Sequence, residues 1–257
     1  MKSFQGKVAA ITGAGSGMGR TLALSLGRRG CHLALSDVNE AGLAETVAAT
    51  AAHGVKVTSK RVDVASREQV YAWADEVVRD HGRCNLIFNN AGVAHSATIE
   101  GTDYKDFEWI VGINFWGVVY GTKAFLPHLK ASGEGHIVNI SSLFGLLSVP
   151  GQGTYNATKF AVRGFTEALR EELDVTHSPV SATCIHPGGI KTNIARDARM
   201  DKSLEALGIH DAERSRRSFE KMFRVTPEDA AEIILAGVER NARRVLVGQD
   251  AVALDLL

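Results

Sequence analysis

The 257-residue chain has little of what stabilises a small secreted scaffold or a membrane protein. It carries three cysteines, five prolines and an aromatic content of 7%. Cys31, Cys84 and Cys184 are odd in number, show no metal-ligand spacing and lie in or beside apolar runs. They predict buried thiols in a reducing compartment and exclude both a disulfide framework and a cysteine metal site. No apolar run approaches the ~20 residues that span a bilayer. The opening "MKSFQGKVAAITGAG" has a short apolar run broken by glycines and no convincing cleavage site, which is unlike a secretory signal. Charge of neither sign is in excess, with 29 basic and 29 acidic residues, which argues against a large basic surface for nucleic acid or anionic lipid. The expectation is a cytoplasmic protein with no integral membrane segment, no metal and no nucleic-acid partner.

What is present is alternation. Short β-branched or apolar runs end at Thr12, Asp37, Val64, Ser142, Gly188 and Gly248, with another opening at Asn85. Between them lie segments of helical periodicity at 20–29, 40–53, 67–81, 107–130, 155–175 and 228–240. Strands alternating with helices predict right-handed crossovers and a parallel sheet covered on both faces. The expected fold class is α/β, with one doubly wound domain over residues 1–257. One segment, 191–224, is charged and helix-compatible with no strand signal, and predicts an excursion over the sheet edge of the kind that forms lids.

The first strand runs into "TGAGSGMG", where Gly13, Gly15, Gly17 and Gly19 free backbone N–H groups to approach a pyrophosphate at a helix N-terminus. The pattern is T-G-x-x-x-G-x-G rather than G-x-G-x-x-G, so position after the first strand counts for more than the glycines do. Asp37 ends the second strand, where a carboxylate can accept hydrogen bonds from both adenosine ribose hydroxyls and repel a 2′-phosphate. Its neighbours Ser36, Val38 and Asn39 and the loop's Ala14 and Ser16 include no Arg or Lys. NAD is therefore expected over NADP. Asp63 and Val64, ending the third strand, are placed near the adenine, with a plain strand-ending turn as the alternative.

In "YNATK", Tyr155 and Lys159 stand four residues apart and share one helix face. A bare pair of this kind is usually a packed ring beside a lysine reaching for water. With "TGAGSGMG", "NNAG" (89–92), "NISS" (139–142), "YNATK" (155–159) and "HPGGIKT" (186–192) in order, however, the chain resembles the short-chain dehydrogenase/reductase family from Lys7 to about Gly248. That resemblance implies a Rossmann-type domain with a seven-stranded parallel sheet in the order 3-2-1-4-5-6-7. It also implies reversible hydride transfer between nicotinamide and an alcohol or carbonyl. By similarity Tyr155 is the acid/base, Lys159 supports it and holds the nicotinamide ribose, and Ser142 hydrogen-bonds the substrate oxygen, with Ser141 as its competitor. Asn114 is the helix asparagine that holds a water leading from Lys159, against the alternative of an amide bonding a backbone. A tyrosine of pKa about 10 must drop about three units, or ~4 kcal/mol, to act as a base near neutrality. One cation at ~4 Å in an effective dielectric of ~20 supplies about that much. The resemblance also places Ser16, Met18, Asn90, Ala91, Gly92, Pro187, Gly188, Ile190 and Thr192 against the cofactor, and makes Asn89 mainly structural.

Substrate preference is expected from residues beside this group. Leu143, Phe144, Leu147 and Val149 point to an apolar pocket, and Val93 and His95 to its opposite wall, with an exposed loop histidine as the alternative for His95. A steroid-like or other bulky secondary alcohol or ketone fits best. Two other readings stand beside it: a 3-oxoacyl carrier-protein reductase, drawn by the basic lid residues (Arg196, Arg199, Lys202, Arg214, Arg216, Arg217, Lys221 and Arg224), and a non-catalytic dinucleotide-binding sensor. The resemblance implies a homodimer or homotetramer paired through the helices at 107–130 and 155–175. The apolar tail "DAVALDLL" either packs at a subunit contact or reflects trimming.

Overall fold

Near-continuous apolar runs build a sheet that is buried on both faces. A computed structural model of the protein describes residues 1–211, 213, 214, 217 and 223–254. In chain order, β1 (Val8–Thr12), α1 (Gly17–Arg28), β2 (His32–Asp37), α2 (Glu40–Thr50), β3 (Val57–Arg61), α3 (Arg67–His81) and β4 (Leu86–Asn89) form the first half. The second half contains β5 (His95–Ser96), α4 (Tyr104–Val111), α5 (Gly117–Ala131), β6 (Gly135–Ile140), α6 (Gly153–Val175) and β7 (Val180–Pro187). It continues with β8 (Arg199–Met200), α7 (Pro227–Glu239), β9 (Arg244–Val247) and α8 (Gln249–Leu254). Seven strands pair in parallel in the order β3-β2-β1-β4-β6-β7-β9, which is the expected order once the two-residue strands are set aside.

Alternate strand residues feed two cores. Ala9, Ile11, Leu33, Leu35, Leu86 and Phe88 pack with Leu22 and Leu26 of α1 and Ile234 and Leu235 of α7. Val8, Ala10, Ala34, Ile87 and Ile137 pack on the other face with Trp73 of α3, Phe125 of α5 and Leu169 of α6. Local chemistry starts the helices where the sequence turns polar. Asn39 accepts from Gly42 N–H, Ser66 from Gln69 N–H and Thr226 from Asp229 N–H, each as an N-cap. The three cysteines are buried, and burial pushes each thiol up to about 12. No helix among the described residues is long and apolar enough to cross a membrane.

Four sequence readings change. The helix expected over 107–130 is α4 and α5 joined by a π turn at Gly112–Trp116, whose wider loop adds a residue per turn. The third strand stops at Arg61, because at the next turn Asp63 N–H bonds Gln69 Oε1 instead of a neighbouring strand. The segment 191–224 is not strand-free: β8 pairs in parallel with β5, and a 3₁₀ turn follows at Lys202–Leu207. Arg216 and Lys221 of that segment, and residues 255–257, lie outside the described residues. The tail read as an apolar run begins as helix α8.

Buried imidazoles set the acid limit of the fold. Desolvation pushes His136 down to about 3 and His186 down to about 4, and lowers His95 as well. The unfolded chain binds these protons near pH 6.5, so between there and pH 4 it holds more protons than the folded chain does. Stability must then fall as pH falls, by up to ~1.4 kcal/mol per pH unit for each such group. Thermal unfolding followed from pH 7.5 to 4.5 should show a midpoint that drops with a steepening slope below pH 6.5. A midpoint flat to pH 5 would contradict the burial of these rings.

Candidate active site

The carboxyl ends of β1 and β4 meet at a hydrogen-bonded junction. Thr12 Oγ1 accepts from Asn90 N–H and Ala91 N–H, both at 3.0 Å, while Asn90 Nδ2 donates to Thr12 O at 2.9 Å and Gly13 O at 3.2 Å. Asn90 thus holds the glycine loop by its side chain, which adds to the backbone role expected of it. The loop turns at Gly13 (φ 67°), and a Cβ on Gly19 would collide with Gly13 O. Beyond it, Asp37 accepts Gly15 N–H at 2.8 Å through Oδ2 and Asn39 N–H at 2.9 Å through Oδ1. A cleft of about 380 Å³ opens there, lined by Gly15, Ser16, Gly17, Arg20, Asn39, Ala41, Gly42, Glu45 and Asn193. Arg20 does not face it as a free cation, since it bonds Gly15 O, Gly42 O, Thr46 Oγ1 and Glu45. Asp63 accepts from Ala65 N–H in the turn beyond β3, and Val64 is buried beside Gly117.

The second group sits where β6 ends against α6. Ser141 Oγ donates to Lys159 O at 2.8 Å, whereas the Ser142 hydroxyl accepts Phe144 N–H at 3.1 Å and bonds the Tyr155 hydroxyl. The two serines are therefore separated by geometry: Ser141 ties strand to helix, and Ser142 faces the phenol. Lys159 is 3% exposed, donates from Nζ to Ile140 O at 3.1 Å, and lies 5.5 Å from the Tyr155 ring centroid. Burial pushes its ammonium down to about 8. Tyr155 keeps part of its surface open, but its hydroxyl end is enclosed; that desolvation raises its pKa, and the Ser142 bond only partly offsets it. The lowering expected from Lys159 is not what the burial of the phenol gives: desolvation is the larger influence and raises it.

Asn114 is fully buried in the π turn. Its Oδ1 accepts Val93 N–H at 2.8 Å, and its Nδ2 donates to Val93 O at 2.9 Å and Thr158 Oγ1 at 3.3 Å. The side chain does what the alternative reading required and fixes the "NNAG" turn, so that Gly92 closes over the Lys159 amino group. Asn89 continues the bracing, donating to Thr122 Oγ1 and Asn139 Oδ1, while Asn139 donates to Thr166 Oγ1.

The remaining residues divide. Ile190 is buried and pairs with Val225, and Thr192 abuts Gly17 of the glycine loop. Phe144 meets Tyr155 edge-on at 6.1 Å, whereas Leu143 is buried beneath it. Val149 lines a separate cavity of about 620 Å³ with Gly153, Asn156, Ala157 and Phe160, a stripe of α6 turned about 130° from Tyr155 and Lys159. His95 is neither exposed nor in a loop: it is 2% exposed in β5, bonds Thr154 Oγ1 at 3.0 Å and lies 4.0 Å from Asp106. Sequence reasoning missed Thr12 and His186, whose Nδ1 lies 2.9 Å from Ser142 O. For Thr12 the signal was its place just before Gly13; for His186 there was none, because nothing in "HPGG" shows which strand it faces.

The family pattern described as short chain dehydrogenase matches residues 7–203. The chain belongs to that family. Among short-chain dehydrogenases it is 53% identical over 258 residues to SadH of Mycobacterium tuberculosis, a protein named as an oxidoreductase, covering 100% of this chain and 91% of the relative. It is 36% identical to the C alpha-dehydrogenase of a Sphingobium species, covering 96% and 82%. A short-chain dehydrogenase from Burkholderia phymatum, solved in complex with NAD, superposes with a TM-score of 0.92 at 33% identity, over 100% of this chain and 94% of that one. The protein is an oxidoreductase of this family, and a nicotinamide dinucleotide fits the residues present. The glycine loop leaves a backbone-lined cleft, and Asp37 stands at its far end. Held there, such a cofactor would supply hydride chemistry.

Replacing Lys159 with Met removes a cation whose burial is unfavourable, while the stem keeps its packing. Lys159→Met should lower turnover by at least ~10²-fold yet leave the thermal midpoint at pH 7 equal to or above the parent's. A parallel loss of midpoint and activity would mean that the lysine is structural.

Proposed function

We propose that the protein is an NAD-dependent short-chain alcohol dehydrogenase or carbonyl reductase acting on a hydrophobic secondary alcohol or ketone. The observation that carries this is the Ser142–Tyr155 hydroxyl contact with Lys159 buried behind it. In the oxidative direction Tyr155 takes the proton of the substrate hydroxyl, and the Ser142 hydroxyl donates to the developing alkoxide. Lys159 keeps positive charge behind the phenol, and Asn114 holds the turn that encloses it. Substrate oxygen placed between Ser142 and Tyr155 meets the edge-on ring of Phe144, and Leu147 and Val93 keep partly exposed apolar surface nearby. That lining suits a bulky apolar, steroid-like substrate.

Asp37 supports NAD over NADP, because its carboxylate already fills the corner above Gly15 and Arg20 beside the cleft is tied to Glu45. The carrier-protein reading loses support where described basic residues are internally matched: Arg199 pairs with Asp106 and stacks on Trp109, and Arg217 pairs with Glu213. Partly exposed Phe107 of α4, Trp116 of the π turn and Phe160 of α6 support pairing of two or four copies. Light scattering should return at least twice the monomer mass.

Absorbance at the reduced-nicotinamide band, with NAD and a panel of hydrophobic and small secondary alcohols, tests the activity. Turnover is expected with NAD, at least ~10-fold above NADP, and Tyr155→Phe should lose ~10²-fold or more. Asp37→Ala should narrow the preference between the two dinucleotides. NADH binding without turnover on the whole panel, carrier-protein thioesters included, would favour a dinucleotide sensor instead.

A further inference from the structure

The stretch Pro187–Thr192 leaves the carboxyl end of β7 as two successive glycines and a turn, and it is fixed from several sides. Gly188 N–H donates to Val247 O at 2.9 Å, Lys191 N–H to Val225 O at 3.0 Å and Thr192 N–H to Ile190 O at 2.7 Å. Each of these is main chain to main chain, as is the longer bond from Val225 N–H to Gly189 O at 3.4 Å, and together they leave the Gly189 N–H to be settled by something else. That something is a side chain from α8. Asp250 Oδ2 accepts the Gly189 N–H at 2.7 Å, and a Cβ on either Gly188 or Gly248 would collide with the same carboxylate. The C-terminal helix therefore rests its one acidic group directly on the paired glycines. At the other end of the stretch the Thr192 methyl abuts Gly17, where a Cβ would come within 3.1 Å of it. Asp250 and the glycine loop thus bracket Ile190 and Thr192, which the family resemblance places against the cofactor, at its nicotinamide carboxamide.

We propose that Asp250 is a positioning residue for the nicotinamide end of the cofactor, an inference that rests on the cofactor reading above. Two adjacent glycines retain wide backbone freedom, and a carboxylate–amide bond is roughly twice as strong as a neutral one. Asp250 spends that bond on the Gly189 amide, and so sets where the Ile190 main chain and the Thr192 hydroxyl present themselves. It lies at the end of the site away from Asp37, so its effect is confined to ligands that carry a nicotinamide.

Calorimetric titration of the full chain with NADH and, separately, with ADP-ribose separates this role from a structural one. For Asp250→Ala, NADH binding should weaken by roughly tenfold, while ADP-ribose binding stays within about twofold of the parent's. Asp250→Asn keeps an acceptor oxygen at the same reach and should restore most of the loss. Asp250→Glu, which keeps the charge but lengthens the arm, should again weaken NADH selectively and serves if the alanine variant unfolds. Equal weakening of both ligands, or no change in either, overturns the proposal while leaving the cofactor reading intact. A parent chain that binds neither ligand overturns the cofactor reading itself.

Discussion

Everything in the site hangs from the junction at which β1 and β4 are pinned together. In a doubly wound sheet the connections leave these two strands in opposite directions, and a crevice opens between them. Nothing apolar can close that gap, because the loops above it must stay free for a ligand. The Thr12 hydroxyl and the Asn90 amide do it instead, with four hydrogen bonds among β1, the glycine loop and the "NNAG" turn. The glycine loop takes its position from that junction, and Asp37 takes its position from the glycine loop. On the other side, Val93 and Gly92 follow Asn90 closely and carry the constraint to Asn114 and Lys159.

The chemistry depends on keeping polar groups dry without leaving them idle. Asn89, Asn139, Thr122 and Thr166 form one chain of side-chain bonds that runs from α5 through β4 and β6 to α6. A buried network of this sort fixes relative positions more sharply than apolar packing does, because each member has few orientations that meet its partners, and here only the Asn89 Oδ1 is left without one. The helix bearing Tyr155 and Lys159 is locked to the strand bearing Ser142 through that chain and through Ser141. Burial then acts in opposite senses on the two working groups, pushing the phenol up and the ammonium down.

The alternation of strands and helices, the glycine loop and the shared helix face of Tyr155 and Lys159 were legible because each rests on a local pattern, whereas the strand order and the grouping of Ser142 with that pair came from the family resemblance. The same patterns could not show what a buried side chain touches. Asn114 was visible as a residue but not as the clasp of Val93, since that pairing joins a helix to a loop 21 residues away. Neither reading of His95, pocket wall or exposed loop, placed it in a strand, because a two-residue strand has no periodicity to detect and its partner β8 lies far along the chain. Val149 sits in an apolar run beside the catalytic strand, yet its cavity belongs to a different stripe of α6. Asp250 gave no sign at all. A lone acid in an apolar tail means nothing until the fold lays it on Gly188 and Gly189.

The π turn at Gly112–Trp116 gives the long helix the record of a one-residue insertion. An α-helix advances about 100° per residue, so the extra residue rotates all of α4 by that angle relative to α5. Deleting any one residue between Gly112 and Trp116 would let the helix close into regular hydrogen bonding and satisfy its backbone better than it does now. The same deletion would swing Asn114 off Val93 and turn the outer face of α4, with Phe107, to a new heading. Local backbone energy and the site therefore pull this segment in opposite directions, and a shortened chain could be the sturdier protein while losing the clasp that encloses its lysine.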